Sequence, residues 1–112
     1  MRIYTDHNGL AVNAIYTLAD GEDVAGHHYQ LLLPGGAVDF GFQAGSVREN
    51  GVNGITSEAM IATLIHRITH QNGKFPCTEN ADAIAHLQFA LNALDARTRD
   101  RIARGVDGKE AA

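Results

Sequence analysis

The chain has 112 residues and a mass of 12.0 kDa, enough for one modest hydrophobic core. Hydrophobic residues make up 45% and charged residues 20%, which excludes a disordered chain. Nine basic against thirteen acidic side chains give a net charge of −4, so we expect no DNA or RNA partner.

Three further features predict a protein of the cytoplasm. No apolar run approaches the ~20 residues that a membrane span needs. The first six residues lack the apolar segment of a secretory signal. The single cysteine, Cys77, has no partner for an internal disulfide, which fits a reducing compartment.

Glycine-rich turns divide the first half of the chain into predicted strands. Asn8 and Gly9 both tolerate positive φ and favour a type I′ turn between the first two strands. An acidic loop at 20–23 contains Gly21 and is followed by Gly26. The predicted strands cover residues 2–6, 10–18, 29–33 and 37–42. This spacing predicts a small antiparallel sheet.

The second half predicts two helices. Thr56 or Ser57 caps the first helix, and Asn72-Gly73 ends it ahead of Pro76. Its apolar face carries Met60, Ile61, Leu64, Ile65 and Ile68. The second helix begins near 78–80 and runs to about Arg104. Its apolar face carries Ile84, Leu87, Leu91, Leu94 and Thr98, flanked by the small Ala83, Ala90 and Ala93.

These elements define an α+β fold, a small N-terminal antiparallel β-sheet followed by a C-terminal antiparallel two-helix hairpin. We expect a single domain over residues 1–112. Its β-rich part covers 1–54, the helical hairpin 55–105 and a tail 106–112.

An arginine cluster near the C-terminus is a candidate binding surface. Arg97, Arg101 and Arg104 recur at helical spacing and share one face, whereas Arg99 points elsewhere. Guanidinium groups in a row match the oxygens of a pyrophosphate. The alternative is that cations in the last helical turns only complement the helix dipole, partly neutralised by two neighbouring aspartates.

The loop between the predicted helices is a second candidate. Phe75 beside a proline can present its ring as a stacking surface for a base, and Asn80 offers an amide donor and acceptor. The alternative is structural: Phe75 plugs the end of the hairpin and Asn80 is the N-cap.

Other candidates for chemistry are weak. His66 and His70 have a spacing that can chelate zinc, but no third ligand is evident, so we expect no metal. Cys77 lacks an identifiable base, which favours a packing role over a nucleophile. We expect no catalytic residue and no cofactor.

The two candidate elements cannot share one ligand within one chain. Along a helix, Asn80 lies about 25 Å from Arg97 and about 31 Å from Arg101. A nucleotide-sized molecule does not bridge this distance. If the second helix packs antiparallel against its copy in another subunit, one chain's loop meets the other chain's arginines and two equal pockets form.

Four segments resemble the phage anti-Thoeris sponge family, whose helical hairpin is shared with the phage anti-CBASS sponges. The segments are residues 42–45, 49–58, 75–81 and 96–108. The most specific is the arginine-threonine-arginine-aspartate-arginine run that begins at Arg97.

The resemblance implies sequestration of a signal. Such proteins bind the cyclic ADP-ribose isomer that bacterial TIR-domain enzymes make, glycocyclic ADP-ribose, and hold it without cleaving it. The family's ligand contacts fall here on Phe75 and Asn80, with Arg97 and Arg101 from a partner's helix. The family assembles as homo-oligomers, dimers joined into hexamers.

Some members also bind cyclic di- or trinucleotides at a separate site. Relatives often carry an arginine where this chain has Thr78, so a positive charge for such a site is missing here. Two other functions stay open from the residues alone: a small cyclic-nucleotide phosphodiesterase, and a nucleic-acid or protein interaction module.

Overall fold

A computed structural model of the chain describes residues 1–15 and 26–105. Backbone contacts divide the chain into two compact units, Met1–Ile55 and Thr56–Ala112. The strands are β1 (Arg2–Thr5), β2 (Ala11–Ile15), β3 (His28–Leu33) and β4 (Gly36–Gly41). The helices are α1 (Val47–Asn50), α2 (Ser57–Lys74) and α3 (Thr78–Ala103). The predicted α+β class is confirmed.

The four strands form one antiparallel sheet in the order β1-β2-β3-β4, and β3 and β4 match their predicted bounds to within one residue. One face of the sheet is apolar because side chains alternate between faces. Its cross-strand rows are Tyr4-Val12-Leu31-Val38 and Ala14-Tyr29-Phe40. The rings of Tyr29 and Phe40 stack with centroids 5.7 Å apart, and Phe42 meets both edge-on. The end of the second predicted strand (16–18), the acidic loop at 20–23 and the tail at 106–112 lie outside the described residues.

The first hairpin turns at the predicted place with a different geometry. The Asp6 carboxylate accepts hydrogen bonds from the backbone amides of Asn8 (2.9 Å) and Leu10 (2.8 Å). Gly9 has a φ of +83°, and no described non-glycine residue has a positive φ. The type I′ prediction, which needs positive φ at both Asn8 and Gly9, is therefore wrong. The Asp6 side chain instead stabilises a turn that ends at a left-handed Gly9.

Two amide side chains, Gln43 and Asn53, hold the segment that follows β4. Asn53 Oδ1 accepts from the Ala44 amide (2.9 Å), and its Nδ2 donates to the Ala44 carbonyl (2.8 Å). Gln43 Oε1 accepts from the Asn53 amide (3.0 Å), and its Nε2 donates to the Gly51 carbonyl (2.9 Å). We call these hydrogen bonds the amide clasp. They pair backbone polar groups of a loop that has little apolar surface to bury.

Gly54 lies where no side chain fits. Phe42 and Ile55 form a parallel bridge, and the Gln43 amide donates to the Ile55 carbonyl at 3.0 Å. A Cβ on Gly54 would overlap the Phe42 carbonyl group and lie 2.7 Å from the Gln43 amide nitrogen. Glycine is therefore required here for close backbone approach.

The sequence predictions omit α1. Ser46 caps this helix, and its Oγ accepts a hydrogen bond from the Glu49 amide at 3.2 Å. Serine followed three residues later by glutamate is a recognised start signal. The helix is only four residues long, so apolar periodicity cannot reveal it.

The first long helix begins where predicted and ends later. Thr56 is its N-cap, and its side chain accepts a hydrogen bond from the first turn at 3.1 Å. The predicted stop at 72–73 is wrong, because α2 continues to Lys74. Pro76 disfavours helical backbone in the preceding residue, and Phe75 is extended, with φ −135° and ψ 77°.

The long helices α2 and α3 form the predicted antiparallel hairpin. Their half-buried residues include Ile61, Ile65, Ile68 and Asn72 of α2, and Asn80, Ile84, Leu87, Leu91, Leu94, Thr98 and Arg101 of α3. Thr98 Oγ1 donates to Glu58 Oε2 at 3.5 Å, which ties the end of α3 to the start of α2. In these two helices, both described throughout, no residue is buried. None of the described helices is long and apolar enough to cross a membrane.

Candidate ligand-binding site

The loop between α2 and α3 presents Phe75 to solvent. The Phe75 amide donates to the Gln71 carbonyl at 2.9 Å, which sets the direction in which the chain leaves α2. Phe75 is 79% exposed. The alternative in which Phe75 plugs the end of the hairpin is therefore wrong, and the ring faces of Phe75 can stack on a ligand.

The start of α3 leaves the Asn80 side chain unused. Cys77 is the N-cap, and its Sγ accepts a hydrogen bond from the Asn80 amide at 3.4 Å. Asn72 Oδ1 accepts from the Cys77 amide at 3.0 Å and holds the loop in place. The expectation that Cys77 is a packing residue is wrong, because it is exposed and caps the helix. The alternative that Asn80 is the cap is also wrong, and within the described residues its side chain makes no hydrogen bond.

The arginine cluster lies at the far end of α3. Arg97 is exposed, and within residues 1–15 and 26–105 its guanidinium makes no hydrogen bond or ion pair. Arg101, one turn on, is half-buried. Arg104 Nε lies 2.9 Å from Asp100 Oδ2 in an exposed pair, so an aspartate offsets part of the cluster's charge. The dipole alternative does not explain Arg97, which lies two turns before the end of α3.

The two groups of candidate residues lie at opposite ends of one unbroken helix. α3 runs from Thr78 to Ala103 without interruption. At 1.5 Å per residue, Asn80 and Arg97 are about 25 Å apart along its axis. One chain therefore does not bring Phe75 and Asn80 together with Arg97 and Arg101.

The histidines on α2 lie outside this arrangement. His66 and His70 share a shallow cleft with Arg67 and Gln71, and both imidazoles are exposed. Among the described residues no group of three or more His, Cys, Asp or Glu side chains could hold a metal ion.

The sheet carries a cleft that sequence reasoning missed. It has a volume of about 400 Å³, and its polar lining includes His28, Asp39 and Asn53. The Asn53 amide is occupied by the amide clasp. Only the pairing register reveals this cleft, because its residues come from distant parts of the sequence.

Two exposed residues of α3 were also missed as candidates. Phe89 is 73% exposed on a face shared with Ala85 and Asn92. Glu79 appears in the sequence only as an acid in a first helical turn, yet it is exposed beside Asn80. Its spacing from Arg97 places both residues on one face of α3, and this is the sequence signal that could have identified Glu79 as a candidate.

Comparisons with known proteins cover this same region. Residues 35–99 match the family described as "Acb2/Tad1, hairpin domain", a range that includes Phe75, Asn80 and Arg97 and ends before Arg101. The chain is also similar to "Thoeris anti-defense 1" of Bacillus phage SBSphiJ7, with 48% identity over 68 residues. The aligned part is 60% of this chain and 48% of that protein, so the chain spans about half the length of this relative.

Proposed function

The chain belongs to the Acb2/Tad1 hairpin domain family, and from this premise we propose that it is a phage anti-Thoeris protein that sequesters a cyclic ADP-ribose isomer. The proposed ligand is glycocyclic ADP-ribose, the signal of bacterial TIR-domain enzymes. The protein holds this ligand unaltered in the host cytoplasm, so the defence effector stays inactive. The 48% identity to a Thoeris anti-defence protein supports the anti-defence role.

The observation that carries the proposal is the separation of two complementary groups along α3. An aromatic ring and an amide stand at one end, and guanidinium groups at the other. In the proposed site, Phe75 and Asn80 of one subunit meet Arg97 and Arg101 of the partner subunit. Two-fold symmetry then gives two equal sites per dimer.

The four side chains match the parts of an ADP-ribose isomer. The exposed ring of Phe75 stacks on the adenine. The Asn80 amide, which makes no side-chain hydrogen bond among the described residues, can pair with a base edge or a ribose hydroxyl. Arg97 and Arg101, one turn apart, each offer planar donors to the pyrophosphate oxygens.

These contacts supply a large part of the affinity that sequestration needs. Stacking on Phe75 contributes about 1–3 kcal/mol by analogy with base–aromatic contacts. Hydrogen bonds from two arginines to charged oxygens contribute about 1.5–3 kcal/mol each. Together they amount to about 4–9 kcal/mol before the cost of association, so tight binding also requires the rest of the ligand to bury surface against the two subunits.

The proposal assigns no chemistry to the site. Hydrolysis of the ligand needs a general base or a metal beside the phosphates. The four proposed contact residues supply neither, and a charge of −4 disfavours the nucleic-acid alternative. A dimer is required because each site takes residues from two chains, and the resemblance to the sponge family implies that dimers join into a hexamer.

One experiment separates sequestration from catalysis. The purified protein is incubated with glycocyclic ADP-ribose, freed of unbound ligand, and boiled to release what it holds. We expect intact ligand by chromatography and a raised melting temperature before boiling. Recovery of a converted product would establish an enzyme, and recovery of nothing, with no thermal shift, would remove this ligand from the proposal.

A further inference from the structure

A second face of α3 runs beside the face that packs on α2. Its members recur every three or four residues and are here called the α3 seam: Glu79, Ala83, His86, Ala90, Ala93 and Arg97. All are exposed except Ala83, which is half-buried. Within residues 1–15 and 26–105, the side chains of Glu79 and Arg97 make no hydrogen bond or ion pair.

The seam is complementary to itself when reversed. It carries an acid at its N-terminal end, small side chains in its middle and a base at its C-terminal end. A parallel pair of such helices would place like charges together, whereas an antiparallel pair places Glu79 at the partner's Arg97 twice by symmetry. This charge complementarity favours a second copy of the chain, the partner that the proposed ligand site already requires, as the occupant of the seam.

The charge pair also determines a register. In an antiparallel pair the numbers of facing residues have a constant sum, which is 176 when 79 faces 97. The same sum sets Ala83 against Ala93 and His86 against Ala90 of the partner subunit. Every seam residue then meets another seam residue, and the alanines permit axes as close as about 8 Å.

The register agrees with the proposed ligand site. A sum of 176 brings Arg101 of the partner subunit to the level of Phe75, just before the N-cap of α3. It brings Arg97 of the partner subunit to the level of Glu79 and Asn80. The four proposed ligand contacts therefore gather at one end of the seam.

The antiparallel dimer itself belongs to the proposed function, on which this inference rests. For that dimer we propose this register, in which Glu79 is the counter-ion of Arg97 of the partner subunit in the ligand-free protein. An anionic ligand takes Arg97 from Glu79, so Glu79 stabilises the empty dimer and opposes binding. Glu79 is thereby a determinant of affinity that does not itself hold the ligand.

Disulfide trapping without ligand tests the register. In a C77S background, which keeps a capping oxygen at the N-cap, the A83C/A93C variant should form a covalent dimer on mild oxidation. The A90C variant is the control, because its two thiols lie about 6 Å apart along the axis in addition to the gap between helices, outside disulfide reach. Cross-linking of A90C, or of neither variant, would overturn the register.

Titration with glycocyclic ADP-ribose, at protein concentrations that keep the dimer intact, tests Glu79. E79Q should tighten binding about two- to fivefold and raise the dimer dissociation constant, the effect of losing an exposed ion pair. D82N is the matched control, since it removes the same charge three residues further on. Equal effects of E79Q and D82N would remove the specific role of Glu79.

The two proposals fail separately. If the A83C/A93C protein cross-links but does not bind glycocyclic ADP-ribose, the register is supported and the proposed function is overturned. Tight ligand binding by protein that does not cross-link would retain the function and overturn the seam.

Discussion

The two compact units of this chain reach order by different means. In the four described strands of the sheet unit, backbone polar groups are paired between strands, and the amide clasp pairs several of those in the loop after β4. In the helical unit the backbone hydrogen bonds lie within each helix, and no residue of α2 or α3 is buried. Two helices cover only one face of each other.

This difference separates the residues proposed to bind the ligand from the residues that stabilise the fold. A change in the amide clasp alters contacts that one chain completes by itself. Three of the four residues with a proposed ligand role, Phe75, Asn80 and Arg97, have side chains that make no hydrogen bond or ion pair within the described part of the chain. Single substitutions in the helical unit are therefore expected to lower ligand affinity with little loss of stability. Substitutions in the sheet unit are expected to lower stability with little loss of affinity.

The largest expected effect on stability is that of Gly54→Ala. The added methyl overlaps the Phe42 carbonyl group, and backbone cannot move aside as a flexible side chain would. We expect a loss of about 3 kcal/mol in the free energy of unfolding, measured by urea titration. Gly73→Ala is the control, because Gly73 is helical with open space at Cβ, and it should stabilise by up to about 1 kcal/mol. Equal effects of the two changes would contradict the close approach at Gly54.

The largest expected effect on affinity is that of Arg101→Ala. Loss of its charged hydrogen bonds to pyrophosphate should abolish sequestration, a weakening of roughly 100-fold or more, with the oligomer intact. Calorimetry with glycocyclic ADP-ribose and sedimentation measure the two quantities. Arg99→Ala, on another face of α3, should bind normally, and wild-type affinity of Arg101→Ala would exclude Arg101 from the site.

A smaller loss is expected for Phe75→Ala. Removal of the stacking surface should weaken binding about tenfold or more, while the melting temperature stays within a degree or two because the ring is 79% exposed. Phe89→Ala makes the same change at a ring that is 73% exposed on another face of α3. If both variants lose affinity equally, the effect is general and Phe75 is not a specific contact.

The smallest effect is expected for Asn72→Ala, which removes the 3.0 Å bond from the Cys77 amide to Asn72 Oδ1. The loop between the helices should loosen, at a cost of about 1 kcal/mol in stability and a few-fold in affinity. Asn92→Ala, which breaks an exposed side-chain bond to Gln88, should leave affinity unchanged. If the Asn72→Ala variant keeps full affinity for the ligand, the position of Phe75 does not depend on this hydrogen bond.

Much of the fold follows from the sequence, because its signals are local. Apolar spacing predicted α2 and α3, and the turn residues predicted four strands in one sheet. The type I′ prediction failed because the Asp6 side chain, outside the two turn residues, sets the backbone. The stop at 72–73 failed because Pro76 acts only on its neighbour, so Gly73 stays helical.

The candidate site was predictable only in part. Sequence reasoning separated Phe75 and Asn80 from the arginines, because helical rise follows from residue number. It left open whether Phe75 and Asn80 were structural, since exposure and capping depend on where the chain turns. Cys77 as a cap and the exposed Glu79 came from the structure, because a thiol is a rare N-cap and a first-turn acid is ordinary.

Mixing two inactive chains tests the central claim most directly. Phe75→Ala and Arg101→Ala chains are each defective, but a mixed dimer holds one pocket with both native residues. After subunit exchange at equal amounts, we predict wild-type affinity for glycocyclic ADP-ribose at about one quarter of the sites, since half of the dimers are mixed. If the mixture binds no better than its separate components, Phe75 and Arg101 do not meet across subunits.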